Sequence, residues 1–219
     1  MIKGSNIHKH FNNLHVLKGV NINIKQGEFV SIVGDSGAGK TTLLQILGTL
    51  DSPTDNLKSE LYINDVDISS LNEKALANFR NENIGFIFQF HQLLPEFTAF
   101  ENICIPGYIK KTNNSELEQR AIKLMDYLNL GNKINNKPNE LSGGEKQRVA
   151  VARSLINNPK LILADEPSGN LDSKSADNLY DLFFDIRKKF NHTFVIVTHN
   201  IELAKKSDRT LEIIDGIIK

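Results

Sequence analysis

The sequence predicts an α/β fold built on a buried parallel sheet, and three observations predict it. Residues 29–33, 161–164 and 193–197 are apolar runs rich in Val, Ile, Leu and Phe, the pattern of strands covered on both faces. Segments with helical spacing lie between them, such as Ala176, Leu179, Phe183 and Ile186. Each run also ends in polar residues: a glycine-bearing loop at 34–41, then Asp165-Glu166, then Thr198-His199. Ligands of parallel α/β sheets bind outside the carboxyl ends of the strands, so these residues are expected to converge on one site.

The 219 residues suit one large α/β domain or a domain with a helical insertion. Lys plus Arg equals Asp plus Glu at 26 each, which disfavours a nucleic-acid partner. Cys104 is the only cysteine, so no intramolecular disulfide forms, and the count fits a reducing compartment. No run approaches the 18 apolar residues of a membrane span, and the first ten residues lack the apolar block of a signal peptide. Any meeting with a membrane is expected to go through a partner.

Short extended pieces are expected in 2–24, where Val20, Ile22 and Ile24 alternate with Asn21, Asn23 and Lys25 before a turn at Gln26-Gly27. Phe11, beside the turn residues Asn12 and Asn13, is either a core aromatic or a face on which a base could stack. Residues 29–47 then read strand, loop, helix. Gly34, Gly37 and Gly39 let the backbone turn its amides inward, and the helix that follows adds free donors and the positive end of its dipole. Lys40 offers a charge to phosphates and the Thr41 hydroxyl a hard oxygen to Mg²⁺.

Residues 52–59 read as a polar surface loop, 61–68 as a hairpin around Asn64-Asp65, and Asn72 as the cap of a short helix. A strand of Ile84, Phe86, Ile87 and Phe88 runs into Gln89, whose neutral amide can face a metal or water without repelling phosphate. Leu93, Leu94, Phe97 and Phe100 make the next loop unusually apolar, as a core lid or as a docking surface. A helix over 115–130 is expected to open with a capping box at Ser115 and Glu118, and another over 146–156 follows Ser142 and Glu145 at the same spacing. That box leaves Gly143 and Gly144 unexplained, since glycine weakens a helix. Bare backbone there suits the approach of a second phosphate.

With these motifs in place, the chain resembles the ATP-binding subunits of ABC transporters over essentially its whole length. The matching motifs are the Walker A loop at 34–41, Gln89 as Q-loop, the signature at 141–145, Walker B at 161–166, the D-loop at 168–172 and His199 as switch histidine. Residues 85–102 are further similar to the ATPases of lipoprotein-releasing complexes, with macrolide-export and cell-division relatives near by. Departures are Glu145 for a common glutamine, Ser168 for threonine, Asn200 for aspartate, and a loop at 52–59 without its usual glycine.

The resemblance implies a P-loop NTPase core with a parallel sheet, an N-terminal antiparallel β subdomain and a helical subdomain inserted at about 90–158 of a single 1–219 domain. It implies ATP held by Phe11, Gly34, Asp35, Ser36, Gly37, Ala38, Gly39, Lys40, Thr41 and Thr42, with Mg²⁺ on Thr41, Gln89 and Asp165. Lys40, Gln89, Glu166 and His199 would be catalytic. Ser142, Gly143, Gly144, Glu145 and Asp172 would complete the nucleotide site, Ser142 and Gly144 by reaching the γ-phosphate on a second copy in a head-to-tail ATP sandwich. Permease subunits are the other implied partners, at the cytoplasmic face of a bacterial inner membrane, without direct insertion. The implied activity is ATP hydrolysis driving lipoprotein release. The alternatives are a macrolide-type exporter or a regulatory ATPase that moves no cargo.

Overall fold

The computed structural model describes residues 1–54 and 58–219. The chain opens with β1 (Ile2–Phe11) and β2 (Leu14–Ile24), an antiparallel hairpin whose register runs from Ile2 opposite Ile24 to Phe11 opposite Leu14. The expected short pieces are in fact two long strands, whose register shifts at three irregularities, between Gly4 and Ile7, Ile7 and His8, and Lys9 and His10. β3 (Phe29–Val33) begins a second sheet and feeds α1 (Lys40–Leu47), which buries Leu43, Leu44, Ile46 and Leu47.

β4 (Glu60–Ile63) and β5 (Val66–Asp67) form the hairpin expected at 61–68, with Asn64 and Asp65 left-handed at φ 52° and 62° as its tight turn requires. β4 pairs with β1, giving a four-stranded sheet in the order β2-β1-β4-β5. Part of the loop expected at 52–59 lies outside the described residues. α2 (Glu73–Asn83) is capped by Asn72, which accepts from the Ala75 amide at 2.9 Å.

β6 (Ile84–Phe88) returns to the second sheet, and three α-helices follow among the described residues before the chain re-enters it. The first, α3 (Ala99–Ile109), was not expected; Thr98 and Glu101 form a reciprocal capping box at its start. The apolar loop ahead of α3 divides its residues. Leu93 and Phe100 pack on the core, whereas Phe90, Leu94 and Phe97 stay 70%, 44% and 41% exposed. Asn102, wholly buried, pins that loop by accepting from the Leu94 amide at 2.8 Å. α4 (Asn114–Tyr127) starts earlier than expected, because Asn113 and not Ser115 is its cap and accepts from the Ser115 amide. The Asn side chain reaches the free amides two residues before the serine could. α5 (Gly143–Leu155) also starts earlier, at the glycines, with Ser142 as N-cap and Glu145 completing the capping box.

β7 (Leu161–Asp165), α6 (Ser173–Phe190), β8 (Thr193–Val197), α7 (Ile201–Lys206), β9 (Arg209–Ile214) and β10 (Ile217–Ile218) complete the chain; the last two strands were not expected. The second sheet runs β10-β9-β3-β8-β7-β6, parallel except for the terminal hairpin. Its strands send successive side chains to opposite faces. Phe29, Ile162, Ala164, Phe194 and Ile196 join α3, α4, α5 and α6 in one apolar cluster. Val30, Ile32, Leu161, Leu163, Val195 and Val197 join α1 and the antiparallel sheet in the other. Cys104 is buried in the first cluster, and burial pushes its thiol up to about 11.

Candidate active site

The carboxyl ends of β3, β7 and β8 open on one cleft of about 630 Å³, lined by Phe11, Val16, Gly34, Asp35, Ser36, Gly37, Gly39, Lys40, Thr41, Thr42, Glu166 and His199. The glycine loop forms its floor. A side chain at Gly34, φ 150°, would strike the Ile213 carbonyl at 2.2 Å, and Gly39, φ 104°, lies against Leu17 and Val16 of β2. No side chain caps α1, so its first amides remain free for an anion. Lys40 folds back over the loop, its Nζ donating to the carbonyls of Gly34 at 2.9 Å and Asp35 at 2.8 Å. Ala38 is buried behind the loop and does not line the cleft.

Phe11 stands at the tip of the first hairpin, 46% exposed, with the Lys9 ammonium 5.0 Å from its ring centre. It is therefore not a core residue. Val16 shares that wall; an isolated valine on a strand carries no chemical signal in the sequence.

Thr41 Oγ1 donates to Asp165 Oδ1 at 3.2 Å. Burial pushes the Asp165 carboxyl up, and the Thr41 hydrogen bond and the Lys40 charge offset part of that. Glu166 follows with a left-handed backbone, φ 45°, its amide donating to the Val197 carbonyl of β8 at 2.9 Å. Its Oε1 lies 2.7 Å from His199 Nδ1. Burial raises the Glu166 carboxyl, against the pull of His199 and Lys40. A carboxylate with raised proton affinity, aimed into a phosphate cleft, is equipped to take a proton from water.

Gln89 follows the rung on which Phe88 of β6 faces Asp165 of β7. Its amide packs over Gly169, where a side chain would meet Nε2 at 2.7 Å, and its carbonyl accepts from Asn170 Nδ2 at 3.0 Å. Gln89 is beside the cleft and not in its lining.

The remaining expected residues stand apart from this cleft. Ser142, Gly143, Gly144 and Glu145 form the start of α5, and Glu145 also pairs with Lys133 at 3.2 Å. Hydrogen bonds from Ser142 and the Lys133 ammonium hold the Glu145 carboxyl below its usual range. Asp172 caps α6, accepting from the Ser175 amide at 3.0 Å. A side chain added at Gly143 would come no closer than 3.9 Å to Leu171, and one at Gly144 no closer than 3.7 Å to Arg148. Among the described residues nothing in this chain requires glycine at either position.

A phosphate loop, two acids and a histidine assembled in this way on a P-loop sheet agree with the family comparison. The family model described as ABC transporter matches residues 17–169. The chain belongs to the ABC transporter family, and the cassette it forms is an ATPase.

Among individual relatives, it is similar to the lipoprotein-releasing system ATP-binding protein LolD of Bacteroides fragilis, 57% identical over 218 residues and covering all of both chains. The protein of the same name from Bacteroides thetaiotaomicron is 56% identical over 219 residues, covering 100% of this chain and 99% of its own. Among solved structures, the dimeric structure of MJ0796, a bacterial ABC transporter cassette, superposes with a TM-score of 0.90 at 41% identity. It covers 100% of this chain and 97% of that one. A dimeric post-hydrolysis state of the same cassette, bound to ADP and Pi, gives 0.89 at 40% identity with the same coverage.

Proposed function

We propose that the chain is the ATP-hydrolysing subunit of an inner-membrane transporter that releases lipoproteins. The observation that carries the lipoprotein assignment is identity of 54–57% over essentially full length to four relatives named as ATP-binding proteins of lipoprotein-releasing systems. Nothing observed favours the macrolide-export or cell-division alternatives. The working unit is a single 1–219 domain in which 90–158 forms a helical subdomain, supported by the insertion of α3, α4 and α5 between the neighbouring strands β6 and β7.

In this reading ATP lies in the cleft with its base on Phe11 and its phosphates on the amides of 34–42. Lys40 leaves the Gly34 and Asp35 carbonyls to meet the outer phosphates. Thr41, Gln89 and Asp165 offer hard oxygens of the kind Mg²⁺ takes, and the 3.2 Å approach of the first and last supports that fit. Among the described residues no cluster of three or more His, Cys, Asp or Glu could hold a metal alone, so phosphate oxygens complete the set. Bound Mg²⁺ supplies neutralisation of charge on the phosphates. Glu166 accepts a proton from the attacking water, while His199 orients that carboxylate and reaches the γ-phosphate.

Ser142, Gly143, Gly144, Glu145 and Asp172 act across a homodimer. Glycines that no described residue of their own chain requires support this role, because a phosphate of the second copy's ATP could approach that bare helix start. Membrane permease subunits dock at the apolar loop around 93–100, where Leu94 and Phe97 stay exposed, and in a groove of about 520 Å³ lined by Phe88, Gln92, Pro106, Ile109 and Arg153. No helix among the described residues is long and apolar enough to cross a membrane, so such a partner would hold the subunit at the cytoplasmic face.

Glu166→Gln tests the chemistry. It should bind ATP, lose at least about 100-fold in turnover and form a stable dimer with ATP on size exclusion. Turnover at the parent rate would remove Glu166 from its role. Affinity capture from detergent-solubilised membranes tests the transport assignment: permease subunits with lipoprotein support it, and division or cell-wall proteins alone overturn it.

A further inference from the structure

Arg153 lies in the last turn of α5, the helix that begins at Ser142 and the paired glycines. Its Nη1 donates to the Gln92 carbonyl at 2.5 Å and its Nη2 to the His91 carbonyl at 2.6 Å. Burial lowers the pKa of its guanidinium, and no carboxylate contributes to the shift. The half-buried guanidinium thus spends both prongs of its fork on two consecutive backbone carbonyls, a charge-assisted pair of hydrogen bonds that fixes the segment accepting them.

They belong to consecutive left-handed residues, His91 at φ 56° and Gln92 at φ 51°, a conformation that side-chain-bearing residues rarely adopt. The turn starts at Gln89, which packs on Gly169; the Gly169 amide in turn donates to the Glu166 carbonyl at 3.0 Å. Its other end, Gln92, lines the same groove as Arg153.

We propose that Arg153 is a positioning residue whose forked guanidinium locks the 89–92 turn, keeps Gln89 in place against Gly169 and so at the edge of the cleft, and ties that turn to the helix carrying Ser142. The proposal rests on the reading of Gln89 as part of the ATPase site.

The test uses steady-state ATPase kinetics of the full chain with MgATP. Arg153→Met should lower kcat about tenfold, the scale of a misplaced catalytic group, and leave KM for ATP within about twofold. Arg153→Lys keeps the charge but lacks the fork and should fall between. If the Met variant fails to fold, the Lys variant carries the comparison. Adding His91→Gly and Gln92→Gly to either variant should recover kcat severalfold, because glycine holds a positive φ without a clamp. A structural defect in α5 would not be rescued from that turn.

Where Gln89→Ala itself lowers kcat, unchanged kcat in both Arg153 variants, or a loss that the glycines do not recover, overturns the proposal. A Gln89→Ala control separates the two failures. If it leaves kcat untouched, the reading of Gln89 fails, and hydrogen exchange at the 90–92 amides decides the clamp: faster exchange in Arg153→Met supports it, and unchanged exchange overturns it.

Discussion

Asp165 and Glu166 are adjacent in sequence but held by different means. Asp165 ends a buried strand and accepts from Thr41, whereas Glu166 is turned toward the cleft by a left-handed backbone that costs on the order of 1 kcal/mol. The Asp165 carboxyl is raised in the folded state, so folding favours its protonated form. That contribution is present below the unfolded pKa and is lost as pH rises through the folded one. Asp165→Asn, which mimics the neutral form, should therefore raise the melting temperature of the nucleotide-free protein near pH 7. The gain should shrink as pH falls toward about 4, where the wild-type carboxyl protonates in both states. A difference independent of pH would assign the effect to packing instead. The acids and His199 were legible because they follow apolar runs at strand ends, where chemistry collects in a parallel sheet, and Lys40 because it closes the glycine loop that follows such a run. The lysine's retreat onto its own loop was not, since no sequence pattern records which acceptor a flexible ammonium finds.

Among the elements, those with an unambiguous period were readable and those without were not. α6 presents Ala176, Leu179, Tyr180, Phe183 and Ile186 along one buried stripe. α3 is apolar nearly all round and contains Pro106, so its period is masked; the signal present was the pair Thr98 and Glu101 three apart. β9 buries only Ile213 fully, and its pattern gives no clean alternation. At α4 the local competition between two caps decides the boundary. Asn113→Ala should lower the stability by about 1 kcal/mol in urea unfolding, while Ser115→Ala, on an exposed helical side chain that caps nothing, should change it by no more than about 0.5 kcal/mol. Equal losses would return the cap to the serine.

At the scale of the whole molecule, the sequence indicates that three strand ends converge but not the order β9-β3-β8-β7-β6, because neighbours such as β3 and β8 are far apart along the chain. Nor does it show that β4 pairs with β1, which places Ile2 opposite both Ile24 and Ile63. The division of labour between the cleft and the distant start of α5 belongs to this scale too, since neither can finish the site alone in the proposed pair. Ser142→Arg should leave ATP binding to the monomer intact and abolish turnover. Placed in the Glu166→Gln background, it should also abolish the ATP-dependent dimer seen by light scattering. Retained activity would argue against a shared site. Following such a pair as it closes calls for reporters at chosen points, and the lone thiol of Cys104 has a practical consequence here. Buried, and deprotonating only near about 11, it will stay inert to maleimides at neutral pH. A cysteine introduced on the surface, such as Lys174→Cys, can then be spin-labelled selectively in the otherwise native chain, and pulsed dipolar spectroscopy can track the separation of two labels through a turnover cycle.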